Sequence, residues 1–168
     1  MSPIDTLVRA FDWSRTSLGA MADWPQSLRT AVDMVLQSPI AMVLMWGPDH
    51  VMIYNEGYVG IAQDKHPRAL GGTVPGIWPE IWDWNREVLA AGFRGETRAA
   101  RDHLLVLERN GGPEDVWFDL FYTPVRDESG AVAGVLCTAI DTTERVLLNR
   151  RLASEGQRLK ELFRQAPS

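Results

Sequence analysis

Side chains able to bind a metal or attack a substrate are sparse in this sequence. The histidines are His50, His66 and His103, and the one cysteine is Cys137. Apart from the neighbouring acids Asp64 and Asp102, the histidines lack the closely spaced Cys, His, Asp or Glu partners of a dedicated zinc site, so no metal centre is expected. Asp102-His103 has the composition of a general acid–base pair, but successive residues of a strand point to opposite faces and cannot readily work together. A Gly-x-Ser-x-Gly elbow, a phosphate loop, His-Glu-x-x-His and the kinase signatures are missing. This stretch of chain is not expected to be an enzyme. Cys137 cannot form an internal disulfide and reads as a small buried apolar residue. Tryptophan is plentiful, with seven in 168 residues. It is a side chain that serves cores and ligand pockets alike.

The elements that must position these residues follow from composition and periodicity. With 45% hydrophobic and 23% charged residues the chain is expected to fold as one domain, and its length allows a sizeable core. A net charge of −5 gives no pull toward nucleic acid or anionic lipid. The N-terminus lacks a basic region followed by an apolar core, and the longest apolar run, Ile40 to Trp46, is far short of the ~20 residues that span a bilayer. A cytoplasmic location without a membrane segment is therefore expected for this stretch.

Phe11-Asp12-Trp13-Ser14 and Leu18-Gly19 read as an irregular arm whose aromatics dock on the domain. Asp23-Trp24-Pro25-Gln26 predicts a helix with Asp23 as N-cap, running to about Gln37, with Leu28, Ala31, Val32, Val35 and Leu36 on its apolar stripe. Ala41–Trp46 and His50–Tyr54, separated by Gly47-Pro48-Asp49, form a hairpin. A short helix follows Asn55, then a loop with brief helical turns from Lys65 to Pro75. A middle helix runs from Trp78 to Gly92, with Ile81, Val88, Leu89 and either Trp82 or Asn85 on neighbouring turns. Three antiparallel strands follow, within Arg98–Arg109, Val116–Val125 and Ala131–Ile140, split by Asn110-Gly111-Gly112-Pro113 and Asp127-Glu128-Ser129-Gly130. In the second of them Val116, Phe118, Leu120 and Tyr122 share one face and Trp117, Asp119, Phe121 and Thr123 the other. The class is α+β, a sheet backed on one side by helices.

A charged helix then runs from Glu144 to about Gln165. Leu148, Leu152, Leu159, Leu162 and Ala166 alternate steps of three and four if Glu155 fills the missing slot, the seam of a helix that pairs with a copy of itself or leads into another domain.

Taken together, these pieces resemble the PAS sensor domains, especially those near the N-terminus of bacterial sensor histidine kinases. The resemblance is carried by Asp12-Trp13-Ser14, Leu18-Gly19, Asp23-Trp24-Pro25-Gln26-Ser27-Leu28-Arg29, Trp46-Gly47-Pro48, Tyr54-Asn55, Lys65-His66-Pro67, Ala69-Leu70-Gly71 and Trp78-Pro79-Glu80-Ile81-Trp82. It continues through Tyr122-Thr123-Pro124-Val125-Arg126-Asp127, Gly130, Gly134-Val135 and Asp141-Thr142-Thr143-Glu144-Arg145. The resemblance implies a five-stranded antiparallel sheet and helices around a pocket, with an N-terminal cap (1–38), a core (39–141) and a C-terminal signalling helix (142–168). It also implies that Asp141, Thr143, Glu144 and Arg145 form the relay from sheet to helix. Glu161 to Ser168 looks like the start of another such domain, so a longer parent, a histidine kinase of a two-component system with further PAS and kinase domains, is expected.

On that layout the candidate ligand-binding residues are Met42, Trp46, Asn55, Tyr58, Trp78, Trp82, His103, Phe118, Tyr122 and Cys137, with Met45, Trp84 and Trp117 as further wall candidates. Heme is disfavoured because the middle helix has no histidine, with His103 on the following strand as an alternative ligand. Light-oxygen-voltage photoreceptors, the flavin branch of the family, carry an adduct cysteine before the middle helix, whereas Gly71–Trp78 contains none. A noncovalent flavin with amide partners such as Asn55 or Gln63 stays open. The expected function is a small-molecule or flavin sensor that relays through a homodimeric C-terminal helix. The alternative is a ligand-free dimerisation module.

Overall fold

The computed structural model describes residues 2–166. Its centre is a five-stranded antiparallel sheet in the order β2-β1-β5-β4-β3. The strands are β1 (Met42–Trp46), β2 (Val51–Tyr54), β3 (Arg98–Arg109), β4 (Gly112–Arg126) and β5 (Val132–Asp141). The first and last strands in sequence of the core thus lie side by side, Val43 opposite Cys137 and Met45 opposite Val135. The β1–β2 hairpin and the three-strand meander form where turn residues separate β-branched and aromatic runs.

The helices are α1 (Pro3–Ala10), α2 (Gln26–Gln37), α3 (Glu56–Ala62), α4 (Val74–Ile77), α5 (Trp82–Phe93) and α6 (Thr143–Gln165). Helix α3 is capped by Asn55, whose Oδ1 accepts from Tyr58 N at 3.2 Å. Trp78-Pro79 does not open the middle helix directly. Pro79–Ile81 makes a 3₁₀ turn and α5 starts at Trp82, with Asn85, Val88 and Leu89 buried.

Cross-strand parity divides the sheet into two packed faces. Val43, Met45 and Met52 face one way, toward α3–α5; Leu44 and Ile53, opposite one another in the ladder, face the other. Both of the latter are fully buried, because α2 lies against β1 and β2 on that side. Trp46 shares their face, its ring pressed on Gly134, where a Cβ would sit 2.6 Å from Trp46 Cε3.

The arm is more regular than its composition indicates. Ser2 Oγ accepts from Asp5 N at 3.3 Å and Asp5 Oδ2 accepts from Ser2 N at 3.2 Å, a capping box that starts α1 and buries Ile4 and Val8. Trp13 is buried and donates its indole N–H to Val8 O at 2.8 Å. The Phe11 ring rests on Gly71, which has a φ of +77°. A side chain there would strain the backbone and strike the ring.

Helix α2 is not capped by Asp23, which belongs to a separate 3₁₀ turn, Met21–Asp23. Its N-cap is Pro25, which has no side-chain acceptor, and the free backbone donor is met from 101 residues away. Glu128, in the β4–β5 turn, accepts from Ser27 N at 2.7 Å and Ser27 Oγ at 2.6 Å. Those two bonds hold the Glu128 carboxyl below its ordinary 4.5. A lowered folded value means the clasp contributes fully above pH 4.5 and is lost as pH falls through the lowered pKa. Glu128→Ala is expected to lower Tm by about 2–4 °C at pH 7, on the scale of a lost cap in a domain this size. Thermal unfolding at pH 7 and pH 3 checks this: the difference from the parent should shrink at pH 3.

Helix α6 leaves the sheet after β5 and buries none of its residues. Of the segment read as the start of a further domain, Pro167 and Ser168 lie outside the described residues.

Candidate functional site

Between the sheet and α3–α5 lies a cavity of about 50 Å³. Val43 and Met45 of β1, Met52 of β2, Leu105 and Leu107 of β3, Phe118, Leu120 and Tyr122 of β4, and Cys137 and Ala139 of β5 supply its floor. Tyr58 and Ile61, Val74, Trp78, Ile81 and Asn85 supply its roof. The alternation on β4 sends Phe118, Leu120 and Tyr122 inward together, as their spacing predicts.

Two phenol–indole pairs order the polar part of the wall. Trp78 Nε1 donates to Tyr58 Oη at 3.0 Å, and Trp84 Nε1 donates to Tyr122 Oη at 2.9 Å. Burial raises the pKa of both phenols, so both stay protonated. Cys137 is the cross-strand partner of Tyr122, and burial pushes its thiol up to about 12. That keeps the sulfur protonated and poorly nucleophilic.

Behind Trp78 the roof is tied by a buried ion pair. Lys65 Nζ donates to Glu80 Oε2 at 2.8 Å and to Ile77 O at 2.6 Å, and it sits 4.1 Å from the centre of the Trp78 ring. Glu80 Oε2 also accepts from Glu108 N of β3 at 2.7 Å. The pair thus joins the α3–α4 loop, the turn before α5 and the edge strand.

Of the residues the sequence points to, Tyr58, Trp78, Phe118, Tyr122, Cys137 and Met45 line this cavity. Met42 and Trp46 do not, because their strand parity is that of Leu44 and turns them from it. Asn55 is excluded by its own hydrogen bonds: Oδ1 accepts from Met42 N at 3.0 Å, and Nδ2 donates to Val35 O at 3.0 Å and Ile40 O at 2.8 Å. It joins α2, β1 and α3 and has nothing left for a guest. Gln63, the other amide considered for a flavin, is exposed and bonds Asn110. Trp82 lies outside the lining, 6.0 Å from His50 ring to ring. His103 stacks on Trp84 at 3.9 Å, and burial lowers its pKa. Trp117 faces the opposite side of β4, under the Arg150 guanidinium at 5.0 Å. Asn85 joins the cavity instead, on the helical stripe where it alternated with Trp82.

The floor continues into the chain's exit. Two residues beyond Ala139, Asp141 Oδ1 accepts from Thr143 N at 2.9 Å. Thr142 N donates to Trp117 O at 2.8 Å, and Trp117 N donates to Thr143 Oγ1 at 3.0 Å. Arg145 Nη2 donates to Asp102 Oδ1 at 2.6 Å and lies 3.4 Å from both oxygens of the buried Asp119. Asp102 is brought there by a bulge in β3, with a φ of 45°, while its own N–H donates to Asp119 Oδ1 at 2.9 Å. Asp102 therefore serves the outer face and His103 the helix-covered one, so the two do not form an acid–base pair. Glu144 is exposed and makes no contact of this kind among the described residues. Of the two charged residues expected to tie the helix to the sheet, Arg145 makes the contacts to the sheet's acids.

No curated protein sequence matches the chain. Among solved structures, the PAS domain of Bordetella pertussis BvgS is 19% identical with a TM-score of 0.55, covering 79% of this chain and 98% of that one. An RNA-binding light-oxygen-voltage receptor is 17% identical with a TM-score of 0.54, covering 88% of this chain and 42% of that one. The phage VqmA–DPO complex gives 18%, 0.52, 77% and 59% for the same quantities. At these identities the likeness is one of fold, and this chain spans less than half of the receptor. Residues 36–147, from the end of α2 to the first turn of α6, match the PAS fold family. With the strand order, the cavity between sheet and helices and the Asp141–Arg145 exit in place, the chain belongs to the PAS family, whose domains are sensory modules.

Proposed function

We propose that this domain is the input module of a bacterial signalling protein, sensing a small molecule in the sheet–helix cavity and passing the change through α6. One observation carries the reading. β5 is both cavity floor, through Cys137 and Ala139, and the strand that runs into α6 two residues later. A guest that shifts β5 acts directly on the helix anchor, by as much as its affinity differs between two settings of that helix.

A flavin does not fit this cavity. About 50 Å³ is far below the ~300–1,000 Å³ typical of cofactor and drug-sized sites. Gly71–Trp78 offers no adduct cysteine, and the amides of Asn55 and Gln63 are engaged elsewhere. Heme is disfavoured on the same volume, with His103 stacked on Trp84 outside the lining. A guest of a few atoms is what the site takes.

The small volume also favours a second reading, a dimerisation module with a filled core. Calorimetric and native mass-spectrometric screening of purified chain against small metabolites separates the two. Retention of one compound with a stoichiometry of one per chain supports sensing; a chain that binds nothing yet dimerises supports the other.

Both readings use α6, on which Leu148, Leu152, Leu159 and Leu162 are each about half exposed or more along one stripe. A homodimer through this seam, in a cytoplasmic kinase carrying further PAS and kinase domains, is the arrangement we propose. Replacing Leu152 and Leu159 together with glutamate is expected to weaken self-association at least tenfold while leaving the core's Tm within a degree or two, since exposed positions contribute little to folding. Sedimentation velocity checks it, and an unchanged sedimentation coefficient would sink the seam.

A further inference from the structure

Asn85 is the polar side chain in the cavity wall that nothing in the fold explains. It is 8% exposed, and its amide makes no hydrogen bond with any described residue. It lines the cavity, and its amide atoms stay within reach of a water-sized molecule. An amide with no protein partner is costly on an otherwise apolar wall unless a guest or water meets it. The two phenols present a related surplus. Each hydroxyl oxygen already accepts an indole N–H, so each O–H proton is left to donate. For Tyr122 the Cys137 thiol is within hydrogen-bond reach, but a thiol is a weak acceptor and a carbonyl oxygen would displace it. Burial keeps both phenols protonated and therefore able to donate. Among the described residues no carboxylate, ammonium or guanidinium lines the wall. Lys65 and Glu80, the nearest ion pair behind Trp78, satisfy each other.

The wall thus offers three donor groups, two phenol O–H groups and the Asn85 Nδ2–H₂, against one strong acceptor, Asn85 Oδ1. Resting on the sensor reading above, we propose that the cavity selects a small neutral carbonyl compound, an amide above all, and that Asn85 is the residue that reads it. A carbonyl oxygen has two lone pairs for the donors, and an adjacent N–H completes the set on Asn85 Oδ1. An anion of the same shape would add lone pairs but would lose its hydration with no cation to meet it. Size sets the other limit. At ~10–15 Å³ for each water-sized body, about 50 Å³ admits roughly three to five non-hydrogen atoms without rearrangement.

Propionamide, butanone and propionate are close in size and differ in these respects. Titrating each into the full ¹⁵N-labelled chain and following the amide spectrum tests the proposal, with pressurised xenon as a probe of the bare void. Propionamide is expected to bind in about the millimolar range, the scale available to so few atoms. Butanone should bind somewhat more weakly and propionate at least tenfold more weakly. Asn85→Leu is expected to weaken propionamide at least tenfold and to leave xenon uptake intact. Equal binding of amide and acid by the parent chain would overturn the proposal without any variant, as would undiminished propionamide binding by Asn85→Leu. Xenon entry without binding of either carbonyl compound would also overturn it, leaving an apolar void and the wider sensor reading in place. Failure of xenon as well would remove the cavity, and with it the sensor reading itself.

Discussion

Replacing Glu80 with alanine is expected to destabilise the fold by about 3–5 kcal/mol, the range for removing one partner of a buried ion pair. The side chains of Lys65 and Glu80 are 8% and 13% exposed, so solvent screens them little. After the substitution the ammonium keeps Ile77 O and the Trp78 ring but loses both carboxylate oxygens, while Glu108 N loses its acceptor. The cost is that of an uncompensated charge left behind, not the worth of the pair. Lys65→Met combined with Glu80→Leu is therefore expected to recover most of the loss, because an apolar pair of similar volume avoids the desolvation altogether. Urea denaturation of Glu80→Ala and of the double variant checks this. A Glu80→Ala loss below 1 kcal/mol, or a double variant no better than the single, would show that the pair does not organise the roof. Tryptophan emission carries a second readout, since Trp78 lies between the ammonium and the cavity and should redshift if the roof loosens.

The parts of this structure that could be read from sequence are those where local chemistry and tertiary packing agree. β4 illustrates the case: alternation alone sends Phe118, Leu120 and Tyr122 to one face and Trp117 and Asp119 to the other, and both faces are then buried, one by the cavity helices and one beneath Arg145 and Arg150. The turn chemistry around Asn110-Gly111 and Asp127–Gly130 placed the meander correctly for the same reason. What stayed hidden depends on partners distant in sequence. The cap of α2 comes from Glu128, which no reading of Asp23–Gln26 can reveal. Asn55 has the composition of a ligand-binding amide but is consumed by three backbone carbonyls that only the fold brings to it. Trp46 and Trp82 are as aromatic as Trp78, and the difference between them is one of strand parity and of a 3₁₀ turn that shifts the start of α5. Asn85 shows the reverse: its place on the α5 stripe was visible, but a polar residue on an apolar stripe looks like an exception until the cavity beside it is seen.

Asp119→Ala is expected to cost about 2–3 kcal/mol and to release the start of α6 from the sheet. The magnitude is that of hydrogen bonds to a buried charged group, here the Asp102 N–H at 2.9 Å and the Arg145 guanidinium at 3.4 Å. Asp119 anchors the junction because its side chain is only 7% exposed, whereas those of Asp102 and Arg145 are 43% and 53% exposed and partly screened. Asp102→Ala should therefore loosen the helix less than Asp119→Ala, despite the shorter contact to Arg145. The bonds from Arg145 also hold the Asp102 carboxyl below its ordinary 3.8. Its share of the clasp is then complete above pH 3.8 and is lost as pH falls through the lowered value, so at neutral pH the junction is fully engaged. Amide exchange over residues 143–150 measures the outcome directly. Asp119→Ala is expected to raise those rates at least tenfold at pH 7 while the β4–β5 amides in the centre of the sheet change little. If residues 143–150 stay as protected as in the parent, the bonds of the Trp117 backbone to Thr142 N and Thr143 Oγ1 hold the helix unaided, and a shift of β5 would have no electrostatic clasp to act upon.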